Sequence, residues 1–290
     1  MTILVTGSTG TIGTRLLSFL DPQAVEIRAL TRSPETARFP AGVKAVKGDL
    51  SDIDGFRAAL EGVGTLFLVG PNVADETTQV MLALNAARDA GVKGVVYVSV
   101  FKGDDYADLP HFASKVAVER MIEAYDLPVT VLRPSYFIQN DIRLKDALLE
   151  DGVHGMPIGA AGISMVDVRD IAEIAAKALM LRENAAGPLA RETYDLVGPD
   201  VLTGTSLAAL WSEVLDRPIA YGGDDLELFE QRMKAFAPAW YAYDLTLMMR
   251  NYQQHGAVAS AAQVARVEQL LGHPARSYRA FAEEVAASWK

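Results

Sequence analysis

No cysteine occurs in the 290 residues. That absence excludes disulfides, iron–sulfur clusters, thiolate zinc sites and a cysteine nucleophile together. Histidine is scarce. The four are at positions 111, 154, 255 and 273, and no two are spaced i, i+4, so a histidine metal site has little to rest on and no metal is expected. Basic residues are the minority, 27 Lys+Arg against 37 Asp+Glu for a net charge of −10, which suits no nucleic-acid backbone. Long apolar runs are also missing. Stretches such as Gly94–Phe101 fall far short of the ~20 residues that span a bilayer, so no membrane partner is expected. The opening MTILVTG has no basic n-region and runs straight into glycines, unlike a signal peptide. The expectation is a soluble, reduced, cytoplasmic protein. What is present is an ordinary globular mixture, 50% hydrophobic and 22% charged.

The first half alternates short apolar runs with helical stretches. Candidate strands are Ile3–Thr6, Glu26–Leu30, Val43–Val46, Thr65–Val69, Val95–Ser99 and Val129–Arg133. Their nearly unbroken apolar spelling is that of parallel strands covered on both faces. Helical patterns lie between them at Thr11–Leu20, Ile53–Leu60, Ala74–Ala90 and Phe112–Tyr125, and Gly91 suits a helix C-terminus. The alternation predicts right-handed βαβ units, an α/β fold with a Rossmann-like parallel sheet and helices on both faces. The second half is less regular. Helices are expected at Val168–Leu181, Ser206–Leu215 and Ser277–Trp289, short strands at Tyr194–Val197 and Pro218–Tyr221, and one aromatic helical region over Glu227–Tyr252. We expect a nucleotide-binding domain over residues 1–155. A smaller α/β substrate part over 156–290 would pack closely on it and return elements to it.

The first strand ends in Gly7-Ser-Thr-Gly10-Thr-Ile-Gly13 and a helix follows. A strand that turns through glycines into a helix gathers free backbone N–H groups and the positive helix end at one point, which suits a pyrophosphate. Gly7 would allow the tight turn, Gly10 the approach of the phosphate, and Gly13 the close packing of helix on strand. Thr9, Thr11 and Ile12 would lie against the cofactor. An NAD site wants an acid ~20 residues past the glycines. This chain has Arg32 there, in Leu30-Thr31-Arg32-Ser33, and a guanidinium can grip a 2′-phosphate with a forked contact. NADP(H) is therefore the expected cofactor.

Further strand ends should line it, because ligands sit at the carboxyl ends of strands in such sheets. Asp49 and Leu50 follow the third strand, where the carboxylate can accept from the adenine amino group. Gly70 and Pro71 follow the fourth, and Ser99 ends the fifth. Gly-Asp and Gly-Pro are also plain turn formers. His111 and Lys115 are spaced i, i+4 at the start of a predicted helix and project toward one side. Lys115 suits a bond to the nicotinamide ribose. Imidazole suits a proton shuttle, so His111 and Lys115 are the candidate catalytic pair. A solvated helix end would carry the same two residues. After the sixth strand, Tyr136 would flank the nicotinamide, with Phe137 and Asn140 toward the substrate. Phe101 and Trp240 join them as candidate substrate residues. Aromatic and methionine-lined walls suit a flat apolar molecule, and equally a core or a subunit interface.

At these residues the sequence resembles the NmrA-like family, an atypical branch of the short-chain dehydrogenase/reductase superfamily. The matching segments are ILVTGSTGTIG, LTRSP, KGDLSD, GVKGVVYVS, HFASKVAVER and VTVLRPSYF, followed by ISMVDVRDIAEIAAKAL, YDLVGPDVLT and VEQLLGHPARSYRAF. The resemblance implies a Rossmann-like domain that binds NADP(H), completed by a small C-terminal substrate domain. It places Gly7, Thr9, Gly10, Thr11, Ile12, Gly13 and Arg32 at cofactor positions and matches His111 and Lys115 to an H-x-x-x-K pattern. Family members fall into reductases of quinones, triphenylmethane dyes or phenylpropanoid ethers, and redox-sensing regulators that bind dinucleotide and partner proteins without turnover. One departure from the wider superfamily matters. The usual Tyr-x-x-x-Lys has His111 in place of the tyrosine, and Tyr106 is nine residues before Lys115, so chemistry that depends on a tyrosine phenol is put in doubt. Two readings follow. One is an NAD(P)H-dependent reductase, NADPH preferred, of a flat, conjugated, apolar acceptor such as a quinone, dye or enone. The other is a non-catalytic NADP(H)-sensing regulator with a partner protein. No residue requires a homodimer, and none excludes one.

Overall fold

In a computed structural model, residues 1–289 are described. Strand β1 (Thr2–Val5) is wholly buried, and its apolar residues face both ways. It is flanked by β2 (Glu26–Thr31), β3 (Val43–Lys47), β4 (Thr65–Leu68), β5 (Gly94–Val98), β6 (Val129–Pro134) and β8 (Glu192–Leu196) in one seven-stranded sheet. The order is β3-β2-β1-β4-β5-β6-β8. Every neighbouring pair from β3 to β6 is parallel, with Val5 opposite both Ala29 and Phe67. The expected Rossmann-like α/β architecture is what forms. The order reverses between β1 and β4, which makes the crevice at their carboxyl ends the switch point of the sheet.

Alternation along the strands divides the core into two layers. Leu4, Leu66, Leu68, Tyr97, Val129 and Val131 pack with residues of helices α2 (Ile53–Ala59), α3 (Glu76–Asp89) and α4 (Pro110–Ala124) on one face. Helices α1 (Thr11–Phe19) and α5 (Val168–Asn184) pack on each other, and α5 also meets β1, β4 and β5. Asp52 caps α2 by accepting from the Gly55 amide at 3.1 Å. Gly91 follows α3 with φ +74°, the left-handed conformation expected of a glycine at a helix end. Helix α4 opens on Pro110 rather than Phe112; proline suits the first helical position because its missing N–H has no intrahelical acceptor there.

The chain separates into two compact units, one made of 1–100, 114–133 and 168–195, the other of 101–113, 134–167 and 196–290. Residues 1–155 and 156–290 thus contribute to both. In the second unit, β7 (Val153–His154) pairs parallel with β9 (Ala220–Tyr221), a strand shorter than the expected Pro218–Tyr221. Helix α6 (Gly204–Leu215) starts from a capping box between Thr203 and Ser206. The aromatic region is two helices, not one: α7 (Leu226–Lys234) and α8 (Ala239–His255). Pro238 stands at the N-cap of α8, where its ring disfavours helical geometry for the residue before it. Helix α9 (Ala261–Leu271), absent from the expectation, starts at a Ser260–Gln263 capping box and ends on Gly272 in the left-handed region. Its buried stripe is thin, Val267 and Leu271, so periodicity had little to show. Helix α10 (Tyr278–Ser288) closes the fold, capped by Ser277.

The end of α5 ties the first unit together. Buried Glu183 accepts from the Thr2 amide at 3.0 Å and from the Thr65 hydroxyl at 2.5 Å, which fastens β1 to β4. Its neighbour Arg182 donates to the Thr130 hydroxyl at 2.7 Å and to the carbonyls of Pro128, Leu189 and Ala190. Replacing Glu183 by Ala leaves two buried donors facing a void. We expect a loss of about 3–5 kcal/mol, of the order seen on breaking a buried charged contact, read as a lower denaturation midpoint in urea.

Candidate functional site

The glycine loop lies at the switch point. Gly7 has φ +57°, and a Cβ there would meet Val69 Cγ1 at 2.4 Å. A Cβ on Gly13 would stand 2.2 Å from the Gly7 carbonyl oxygen, and one on Gly10 would stand 3.2 Å from it. Close approach of helix to strand therefore requires glycine at 7 and 13. The Gly10 amide donates to the Gly7 carbonyl at 2.9 Å, which closes the turn. Helix α1 begins right after it and its first turn receives no side-chain cap. Thr9, Gly10 and Thr11 are exposed, whereas the Ile12 and Gly13 side-chain positions are buried in the α1 packing. Uncapped amides at a positive helix end, beside a cradle that any Cβ would fill, fit the pyrophosphate of a dinucleotide.

Two hydroxyls hold this loop to the neighbouring strands. Ser8 donates to the Leu30 carbonyl at 2.7 Å, at the end of β2. Thr6 donates to the Val69 carbonyl at 3.2 Å and accepts from the Val69 amide at 2.9 Å, past the end of β4. Beyond β2, Arg32 is exposed and lines a groove of about 550 Å³ with Lys47, Gly48, Asp49 and Asp52. Asp49 Oδ1 accepts from the amide and the hydroxyl of Ser51, both at 2.9 Å. The Ser51 amide, with Arg32's positive charge as a smaller cause, holds the Asp49 carboxyl below its usual range. Leu50 is buried behind it.

At the other side of the crevice, Gly70 and Pro71 are half-buried after β4. A Cβ on Gly70 would stand 2.6 Å from Glu76 Oε1. That same oxygen lies 2.5 Å from Lys115 Nζ, with both side chains largely buried. Lys115 is thus held by a buried acid of α3. Ser99, just past β5, donates its hydroxyl to Glu119, and Glu119 also takes a two-pronged contact from Arg133 at 2.5–3.0 Å. The Ser99 hydroxyl is therefore engaged within the fold.

In the second unit, His111 Nδ1 lies 2.5 Å from Asp244 Oδ2 on α8. Tyr106 donates its hydroxyl to the Gly256 carbonyl, and burial pushes its pKa up to about 12. A phenol so occupied is no substitute for the missing tyrosine of Tyr-x-x-x-Lys. Tyr136 is half-buried and its ring stands edge-on to Tyr252 at 6.1 Å. Burial pushes the Tyr136 phenol well up, and the Asp141 charge adds to the rise. Phe137 bridges to Val166, and Asn140 follows in a 3₁₀ turn over Ile138–Leu144. Phe101 is buried at 5% exposure, which makes it a core residue in this state rather than an open wall. Trp240 is exposed and tilts on Tyr241 at 5.4 Å.

The sequence reading missed Thr6, Ser8, Glu76, Glu119 and Asp244. Thr6 and Ser8 were legible as polar residues inside a buried strand-turn. The three acids were not, because each reaches its partner from a different element.

The NmrA-like family matches residues 1–283. The NAD(P)H azoreductase of Xenophilus azovorans is 30% identical over 293 residues, covering 99% of this chain and 99% of that protein. The (4-alkanoyl-5-oxo-2,5-dihydrofuran-3-yl)methyl phosphate reductase of Streptomyces griseus is 31% identical over 291 residues, again 99% of each. Among solved structures, the NADPH-dependent quinone oxidoreductase of Escherichia coli, complexed with NADPH, superimposes with a TM-score of 0.83 at 26% identity, over 99% of this chain and 100% of that one. With its glycine cradle at the switch point and this match along nearly its whole length, the chain belongs to the NmrA-like family.

Proposed function

We propose that this chain is an NAD(P)H-dependent reductase, with NADPH preferred, acting on a flat, conjugated, apolar acceptor such as a quinone, dye or enone. The observation that carries the reading is the uncapped glycine cradle with Arg32 at the end of the adjacent strand. Gly10 leaves room for the pyrophosphate, and the amides of Thr9, Thr11, Ile12 and Gly13 take it. Arg32 takes the 2′-phosphate, Asp49 and Leu50 flank the adenine, and Gly70, Pro71 and Ser99 line the middle of the cofactor. Bound there, the cofactor supplies a hydride. Lys115, kept in place by Glu76, bonds the nicotinamide ribose and lends positive charge, and His111 gives the proton. Tyr136, Phe137, Asn140 and Trp240 belong to the acceptor's side. A conjugated acceptor stabilises its own product anion, so this chemistry does not need the superfamily's tyrosine. The cysteine-free composition is compatible with a reducing cytoplasm.

The direct test is steady-state NADPH oxidation against a panel of quinones, triphenylmethane and azo dyes, and enones. Turnover with at least one class is expected. Tight NADPH binding without turnover on the whole panel would favour the sensor reading instead.

Arg32→Ala should weaken NADPH binding by about 1.5–3 kcal/mol, the scale of a charge-assisted hydrogen bond, and leave NADH binding nearly unchanged in titration calorimetry. Equal losses for both cofactors would remove Arg32 from the 2′-phosphate.

Lys115 is best tested with its buried partner neutralised, so that no lone acid is left inside. The double variant Lys115→Met, Glu76→Gln should keep its fold, lose about 10²-fold in kcat and lose less than that in NADPH affinity. Full turnover in that variant would reduce the Lys115–Glu76 contact to a structural ion pair.

A further inference from the structure

The 3₁₀ turn over Ile138–Leu144 presents two edges. In such a turn residues three apart stand over one another. Ile138 and Asp141 share the inner edge, each 1% exposed, whereas Phe137 at the N-cap and Asn140 share a half-buried one. Backbone fixes the start of the segment. The Val166 amide donates to the Tyr136 carbonyl at 2.9 Å, and the Ile138 amide donates to the Val166 carbonyl at 3.1 Å. The Asp141 side chain anchors the turn itself. Its Oδ2 accepts from the Tyr278 hydroxyl on α10 and lies 3.1 Å from His154 Nε2 on β7. A carboxylate only accepts, so that nitrogen carries the proton. The Tyr278 hydroxyl accepts from Trp211 Nε1 on α6 at 3.0 Å, which leaves its one proton for Asp141. Burial holds the Tyr278 phenol well above its usual range, and the Asp141 charge adds to the rise, so it stays a donor. His154, Trp211 and Tyr278 are all buried.

The turn, α10, β7 and α6 thus meet at one carboxylate oxygen and the hydroxyl on it. The arrangement is unfavourable by itself. A buried carboxylate loses its hydration, and Asp141 Oδ1 and His154 Nδ1 have no hydrogen-bond partner among the described residues. A leucine would fill the space without that cost. Apolar burial has no direction, however, and would hold the turn without fixing its rotation. Two hydrogen bonds to one oxygen fix it.

We propose that Asp141 is a positioning residue that, held by Tyr278 and His154, fixes the rotation of the 3₁₀ turn and so sets Phe137 and Asn140 for the acceptor. This rests on the reductase reading above, which gives those two residues to the acceptor's side. Asp141 lies too deep to touch the acceptor and acts through them.

Three variants of the full chain test it. Asp141→Leu removes both bonds and keeps the volume. Tyr278→Phe removes one bond and keeps the ring. Asp141→Asn keeps an oxygen that accepts from the same two donors. Steady-state kinetics are run with NADPH and menadione, malachite green or whichever member of the panel above the wild type turns over. Hydrogen exchange is followed at the Asn140 amide, which donates to the Phe137 carbonyl at 3.1 Å. In Asp141→Leu, KM for the acceptor should rise about tenfold with KM for NADPH within about twofold, a modest share of what a misplaced positioning group can cost. The Asn140 amide should exchange faster in the same variant. Tyr278→Phe should move both readings the same way by less, and Asp141→Asn should stay near the wild type. An acceptor KM that stays at the wild-type value in Asp141→Leu, or rises no more than that for NADPH, overturns the proposal. So does an Asn140 amide that exchanges as in the wild type, or an Asp141→Asn that behaves like Asp141→Leu. Should Asp141→Leu not fold, Tyr278→Phe decides by the same comparisons. A wild type that reduces nothing in the panel loses the reductase reading, and exchange at Asn140 then decides alone whether Asp141 holds the turn.

Discussion

The first unit is organised around a contact too close for any side chain. The Gly7 carbonyl sits where the Cβ of residue 13 would be, and the Val69 methyl sits where that of residue 7 would be. Helix α1 can therefore start directly over the end of β1 and point its uncapped amides into the crevice where the strand order reverses. Ser8 then fastens the turn to β2, and Thr6 fastens it to the segment leaving β4. An alanine at position 13 would push the helix outward and pull these ties out of register. The same closeness that makes the loop a cradle also makes it stiff, so a ligand that fits it meets amides already in place and little ordering entropy is lost on binding.

In each unit, basic side chains are matched by acids that are buried or half-buried. Lys115 is matched with Glu76, Arg133 with Glu119, and His111 with Asp244. A chain with ten more negative than positive charges would present a repulsive surface to a polyanionic cofactor if that excess stood in the crevice. These carboxylates are instead spent on specific cations. The exposed guanidinium of Arg32 stands outside the pairs and faces the groove beside β3.

Much of this architecture was legible in the chain itself, for identifiable reasons. Strands β1, β4, β5 and β6 announced themselves because parallel strands covered on both faces are short and unbroken in their apolar spelling, β2 and the more exposed β3 showed it less cleanly, and each of the six formed within a residue or two of its expected ends. The glycine loop was legible because steric exclusion dictates residue type directly. The aromatic stretch over Glu227–Tyr252 misled, since its apolar density masked the break that Pro238 imposes. Helix α9 was hidden because it buries only two residues, although its Ser260–Gln263 box and Gly272 marked both ends. The partners of the charged residues were beyond reach: Glu76 is 39 residues from Lys115 and Asp244 is 133 from His111, and no local pattern couples such separations.

The stitch between Glu183 and the first strand bears on how the polypeptide comes to be folded at the ribosome. Thr2 is made 181 residues before the carboxylate that accepts from its amide. Strands β1 to β6 must wait as a partly covered sheet until α5 emerges to lie across them. The nascent protein thus carries an open apolar face while those residues are being made, a window in which chaperone capture competes with self-association, and it closes only when the late helix lies across the first unit.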